Sequence, residues 1–156
     1  MTSRPLHPRQ VQVWTVGWGL AAAVVTALVA GLEGVLTMTD NRPWPPGLPT
    51  VVVALAGALL VWRLPPAAYR RWRYELAETT LELRRGVVVH TETAIPYFRV
   101  QHIDITRSPV ERMLGLSQLV VRTAAASTDA TIPGIAAADA EELRDVILAR
   151  TGRDDV

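Results

Sequence analysis

The stretch from Val13 to Leu32 contains no charged residue, and no other feature restricts the possible folds so strongly. As an α-helix rising ~1.5 Å per residue it is about 30 Å long, the thickness of the hydrocarbon core of a bilayer. Lipid offers backbone N–H and C=O groups no water, so a segment this apolar crosses as a helix. A cleaved signal peptide is the competing reading, because Ala21 and Ala23 form a small-residue cleavage pattern. The run continues past that point and exceeds the ~7 to 15 residues of a signal core, which favours a permanent anchor. Leu48 to Leu64 is a second apolar run, opened by Pro49 and closed by Pro65 and Pro66. Its length is near the ~17-residue lower limit for a span, and two such runs so close together make a helical hairpin.

Charge sets the orientation. Arg4 and Arg9 precede the first run and Arg63, Arg70, Arg71 and Arg73 flank the end of the second, whereas the connecting loop carries only Arg42 against Glu33 and Asp40. Positive flanks stay in the cytoplasm, so both termini are expected inside a bacterial inner membrane. Trp14, Trp18, Trp62 and Trp72 fall near the expected inner boundary and Trp44 near the outer one, where amphipathic indoles concentrate. Ala27 with Gly31, and Ala54 with Ala58, have the small-residue spacing that lets membrane helices approach closely. The expected organisation is a basic leader (1–12), spans over 13–32 and 48–64 joined by an external loop (33–47), a basic juxtamembrane linker (65–73), a soluble domain (74–151) and a tail (152–156).

The formal net charge of +1 conceals a division. Residues 1–73 carry +5 and residues 74–156 carry −4. A net-acidic soluble part lacks the basic footprint that nucleic acid requires. Every one of the 16 basic residues is arginine, which points to the base composition of a G+C-rich bacterium rather than to chemistry. Cysteine is absent, which removes disulfides, thiolate zinc sites and thiol nucleophiles.

From Tyr74 onward the long apolar runs give way to short alternating ones, the period of half-buried strands. Tyr74 and Leu76, then Leu81 and Leu83, alternate with Glu75, Ala77, Glu82 and Arg84, and Arg85-Gly86 offers a turn before Val87, Val88 and Val89. Phe98 and Val100 share one parity and Ile103 and Ile105 the other. Strand side chains alternate faces, so a bulge is expected near Gln101 and His102. Ser108-Pro109 ends that strand, and V-E-R-M-L-G-L reads as a short helical turn closed by Gly115. Leu119, Val121, Thr123 and Ala125 form another strand, followed by a polar loop at Ser127 to Asp129 and a short strand at Ala130 to Ile132. Asp139 with Glu142 has the spacing of a capping box, and Ala140, Leu143, Val146, Ile147 and Arg150 describe one mainly apolar helical stripe.

The succession Y-E-L-x-x-x-x-L-x-L-R-x-G-V, I-P-Y-x-R-V-Q-x-I, S-P-V-E-R-x-L-G-L, L-V-V-R-T-A and I-P-G-I resembles the membrane-anchored bacterial pleckstrin-homology-like family, in its YdbS-like branch. The resemblance covers roughly Trp72 to Leu148, and the preceding pair of membrane helices matches that family's layout. Ala124-Ala125-Ala126 departs from it, where a glycine is expected after Thr-Ala. The resemblance implies a membrane helical hairpin followed by a small, mainly-β barrel or split barrel with a C-terminal helix. It implies binding rather than catalysis, since a fold alone carries no chemistry.

For an enzyme, His102, Asp104 and Ser108 are the right residue types for a hydrolytic triad, but no nucleophile elbow accompanies them. His7, His90 and His102 lack metal-ligand spacing, and no phosphate-binding or dinucleotide fingerprint occurs. The expectation is therefore a chain without catalytic residues, metal or cofactor. Its expected role is a membrane-tethered module that contacts a protein, either a second copy or another such membrane protein, through Arg99, Arg107 and Arg112. The alternative is sensing of anionic headgroups through Arg63, Arg70, Arg71 and Arg73, each basic residue near the surface contributing about 1 kcal/mol. Arg84 and Arg85 are the only adjacent basic pair in the soluble domain.

Overall fold

A computed structural model describes residues 4–39, 44–87, 89–124 and 129–151. They form two compact units, Val11–Ala67 and a second composed of Met1–Gln10 with Ala68–Val156. Asp40, Arg42, Val88, the segment 125–128 and the tail 152–156 lie outside the described residues.

The first unit holds most of helices α1 (Gln10–Met38) and α2 (Leu48–Arg71), whose ends at Gln10 and Ala68–Arg71 belong to the second. Only 6% of each apolar window is buried, which sets these helices apart from the core helices of a water-soluble protein. Both overrun the apolar stretches expected from sequence. Glu33, expected in the loop, lies within α1, and its carboxylate accepts from the Gly47 amide and, at 2.6 Å, from the Thr50 hydroxyl. The first amides of a helix have no partner within it and carry partial positive charge. Glu33 meets both needs at the start of α2.

Pro65 and Pro66, expected to close the second helix, lie inside α2. Each lacks the N–H that would reach four residues back, but proline's φ of about −65° is itself helical. The segment expected as a linker over 65–73 is therefore helix as far as Arg71. The close approach of the two helices uses Ala22 and Gly57, where a Cβ added to Gly57 would lie 3.1 Å from that of Ala22. Gly31 has nothing within 4 Å of such a position. Ala27, Ala54 and Ala58 instead line a groove of about 960 Å³.

The second unit holds two antiparallel sheets. Strands β1 (Arg4–Pro5), β2 (Arg73–Leu76), β3 (Thr80–Arg85) and β4 (Thr91–Pro96) form one in that order. Strands β5 (Val100–Thr106), β6 (Leu116–Thr123) and β7 (Ala130–Ala136) form the other. Helix α3 (Pro109–Leu114) connects β5 to β6, and α4 (Ala140–Thr151) follows β7. The sheets do not close into a barrel, so the split form is the one adopted. Their inward side chains, Leu81, Leu83, Ile95, Leu119, Val121 and Ile132, make a core with Ile147 of α4.

The leader is part of this unit rather than a free basic tail. Arg4 pairs with Tyr74 and Pro5 with Arg73, while Leu6 is 2% exposed. The His7 amide also donates to Gly134 O at 2.8 Å. Segments before α1 and after α2 thus meet in one unit. At Gly134 φ is +62°, and an added Cβ would lie 2.8 Å from the buried Gln10 side chain, so this close approach calls for glycine.

The bulge expected near Gln101 is present as a register shift between Val100 and His102. Other local expectations change. Phe98 is not in a strand: Tyr97–Arg99 is a 3-10 turn that buries Tyr97 and leaves Phe98 outside. Val87 and Val89 lie between β3 and β4 instead of in a strand, because pairing resumes only at Arg85 with Thr91. Strand β7 continues beyond Ile132 through Pro133, which an edge strand tolerates because its outward N–H has no ladder partner to lose.

Candidate interaction site

The stretch richest in polar chemistry, residues 95–116, is spread over several elements. Ser108 is the N-cap of α3: its hydroxyl accepts from the Glu111 amide at 3.3 Å while the Glu111 carboxylate accepts from the Ser108 amide at 2.7 Å. Gly115, at φ +70°, closes the helix in the left-handed region that glycine enters at least cost. The sequence S-P-V-E has the capping-box spacing, so this arrangement was legible from sequence although only the box at Asp139 was expected.

Ser108 thus serves its helix, whereas Asp104 pairs with His102 Nε2 at 2.8 Å and accepts from Arg122 Nε at 2.9 Å. The Arg122 hydrogen bond, followed by the His102 charge, holds the Asp104 carboxyl below the usual aspartate range. This is a surface ion cluster linking β5 to β6. Among the described residues no cluster of three or more His, Asp or Glu is arranged to hold a metal ion.

Structure separates the three arginines expected to meet a partner. Arg107 donates through Nε to Ser117 Oγ at 3.0 Å and through a terminal nitrogen to Ala137 O at 3.4 Å, tying the end of β5 to its neighbours. Arg99 is exposed and lies 5.8 Å from the Phe98 ring, itself 60% exposed. Arg112 is exposed next to Met113, which is 88% exposed. The turn at Phe98 and helix α3 flank β5 at its two ends.

The four arginines assigned to headgroups also differ. Arg63 stacks 4.9 Å from the Trp62 ring. Arg71 donates to the Val87 carbonyl, and Arg73 donates to the carbonyls of Trp72 at 2.7 Å and Tyr69 at 3.4 Å. Arg70 is exposed in the last turn of α2.

Arg150, expected only as the end of a helical stripe, donates to the carbonyl of Leu76 at 3.1 Å, to that of Ala77, and to the Tyr97 hydroxyl at 3.1 Å. It also sits 5.6 Å from the Tyr97 ring. Burial pushes the Tyr97 hydroxyl pKa up, and Arg150 draws it partly back. One side chain thereby joins α4, the first sheet and the turn between the sheets. A cleft of about 670 Å³ is lined by Arg4 and Arg150 together with Asp139 and Glu142. Its mixed charge differs from the single-sign basic pocket that selects a phosphorylated headgroup.

Two apolar helices, a pair of open antiparallel sheets and a C-terminal helix define a membrane-anchored pleckstrin-homology-like protein. Comparison with known families agrees: the Bacterial PH domain family matches residues 16–151, and the chain belongs to it. Among curated proteins, the UPF0699 transmembrane protein YdbS of Bacillus subtilis (strain 168) is 31% identical over 154 residues, covering 97% of this chain and 95% of that protein. No solved structure matches the chain.

Proposed function

We propose that this membrane protein is a non-enzymatic interaction or assembly module at the cytoplasmic face of the bacterial inner membrane, binding a protein partner or a second copy of itself. The observation that supports this reading is the exposure of Phe98 and Met113 beside Arg99 and Arg112. Aromatic residues, methionine and arginine are enriched at protein interfaces. Tethering raises a partner's effective concentration, so two small patches suffice for useful occupancy. Arg107 frames the α3 patch instead of contacting the partner. Cross-linking the full chain in native membranes tests the reading. Wild type is expected to yield a discrete protein adduct, and the double variants Phe98→Ala/Arg99→Ala and Met113→Ala/Arg112→Ala each to lose most of it. An unchanged adduct in both variants would sink the proposal.

A second reading, contact with anionic headgroups, is supported by Arg70. It is exposed at the end of a membrane helix, where a cation interacts favourably with both the helix dipole and anionic lipid.

A further inference from the structure

The sheets of the second unit end on edge strands, β1 and β4 in the first sheet and β5 and β7 in the other. A free edge offers unpaired N–H and C=O groups to another strand, and proteins ordinarily guard it. Most of these edges are guarded. β1 is only two residues long and includes Pro5. β5 shifts register between Val100 and His102, and β7 carries Pro133 where its pairing with β6 slips. β4 has neither device: it pairs with β3 in unbroken register from Thr91 to Pro96, with proline only at its last position. Glu92 and Ala94 along it are exposed.

Strand geometry identifies the groups that β4 has free. In an antiparallel pair, residues that exchange hydrogen bonds with the neighbour alternate with residues whose N–H and C=O point the other way. Just beyond the strand, the Tyr97 amide donates to Thr79 O at 3.1 Å, in step with the pairing of Pro96 with Thr80. The backbone groups of Thr91, Thr93 and Ile95 therefore face β3, and those of Glu92 and Ala94 face outward. Pro96 presents outward only its C=O. The Glu92 carboxylate lies 3.6 Å from Arg84 Nε on β3, so its charge already has a partner.

These outward groups complement themselves. Two β4 strands related by a two-fold axis run antiparallel, and the outward groups join only where even-numbered residues stand opposite even-numbered ones. Glu92 opposite Glu92 sets like charges together, which destabilises a strand pair. Ala94 opposite Ala94 brings Glu92 opposite Pro96, which has no N–H to return. Glu92 opposite Ala94 avoids both faults. Each of these residues then exchanges hydrogen bonds through both its N–H and its C=O, Thr93 meets Thr93 at the axis, and Thr91 meets Ile95. Threonine pairs are among the favourable cross-strand neighbours.

We propose that β4 pairs with β4 of a second copy in this register, joining the first sheets of the two copies into one continuous sheet. The second copy is the occupant because the strand is complementary to itself about a two-fold axis, as an isologous interface requires. Confinement of every copy to the same membrane also raises its effective concentration. The Tyr97–Arg99 turn follows β4 without a break, so the exposed Phe98 extends the same interface. This inference rests on the protein-contact reading and names its partner as this same chain.

The chain has no cysteine, so the register is testable by single-site disulfides in the full chain reconstituted in lipid vesicles. Directly opposite residues that do not exchange hydrogen bonds have Cβ atoms about 4.5 Å apart, at the edge of disulfide range. Oxidised Thr93→Cys is expected to give a disulfide dimer. Ala94→Cys is expected to stay monomeric, because the two copies of residue 94 are diagonal neighbours about 7–8 Å apart. Adding Ala94→Pro to Thr93→Cys removes an outward N–H and spares the ladder to β3. It should lower the dimer yield about tenfold, the scale of hydrogen bonds lost at both symmetry-related positions. In the unsubstituted chain, the Glu92 and Ala94 amides should exchange more slowly as the protein-to-lipid ratio rises. Absence of the Thr93→Cys dimer, equal yields at 93 and 94, or exchange indifferent to that ratio overturns the edge pairing. The protein-contact reading survives such a result if the wild-type adduct still depends on Phe98 or Met113, and falls with it if that dependence is also missing.

Discussion

Arginine is this chain's only strong cation, and its contribution depends on what surrounds each copy. Arg150 serves carbonyls that strand pairing leaves over, Arg122 fixes a carboxylate, and Arg99 and Arg112 remain on the surface. At Asp104 the arrangement has a pH signature. Its carboxyl titrates below the ordinary aspartate range, chiefly through Arg122. The folded state therefore favours the charged form, and the contribution is complete above the unfolded pKa and disappears as pH falls through the lowered folded one. Carboxyl NMR of the full chain in detergent is expected to show this low midpoint, with Arg122→Ala moving it upward. The group is solvent-exposed, so global stability should change little.

Among the elements, α2 shows most plainly how a distant side chain sets a helix boundary. Its first turn lacks an acidic residue of its own, and Glu33 of α1 supplies the charge across the connecting loop. Glu33→Ala should fray that turn, costing about 1–2 kcal/mol from lost capping and charge-dipole attraction. Hydrogen exchange at Gly47 should accelerate about tenfold, the kinetic equivalent of ~1.4 kcal/mol. Unaltered exchange there would show that the cap adds nothing. At this scale the strands were legible wherever alternation was strict, as at Leu81 and Leu83. They were not at Val87 and Val89, β-branched residues that satisfy strand preference yet lie between β3 and β4. Phe98 misled for a related reason: a 3-10 turn breaks the two-residue period and transfers burial to Tyr97.

Taken whole, the molecule returns to its own beginning. Residues 4–10 contribute an edge strand, the buried Leu6 and the buried Gln10 to a unit whose remaining residues follow the membrane helices. Leu6→Ala should cost about 2–4 kcal/mol, the usual range for emptying a buried leucine site. The thermal transition of the full chain, followed by near-UV circular dichroism in detergent, is expected to move to lower temperature. A transition at the wild-type temperature would mean that the leader adds nothing to the folded unit.

From sequence alone came the membrane helices, the net-acidic β-rich part, the bulge after Val100 and the short helix closed by Gly115. Each depends on residues close together in the chain: an uncharged run that lipid accepts only as helix, a parity switch, a glycine after a short helical turn. Tertiary structure alone decided that the leader is a strand, that Glu33 caps α2, that Pro65 and Pro66 leave the helix unbroken, and which arginines are already engaged. These outcomes depend on partners far away in sequence, such as Leu6 O beneath the Tyr69 hydroxyl or Leu76 O beneath Arg150. Local periodicity carries no record of a partner that only folding brings within hydrogen-bond distance.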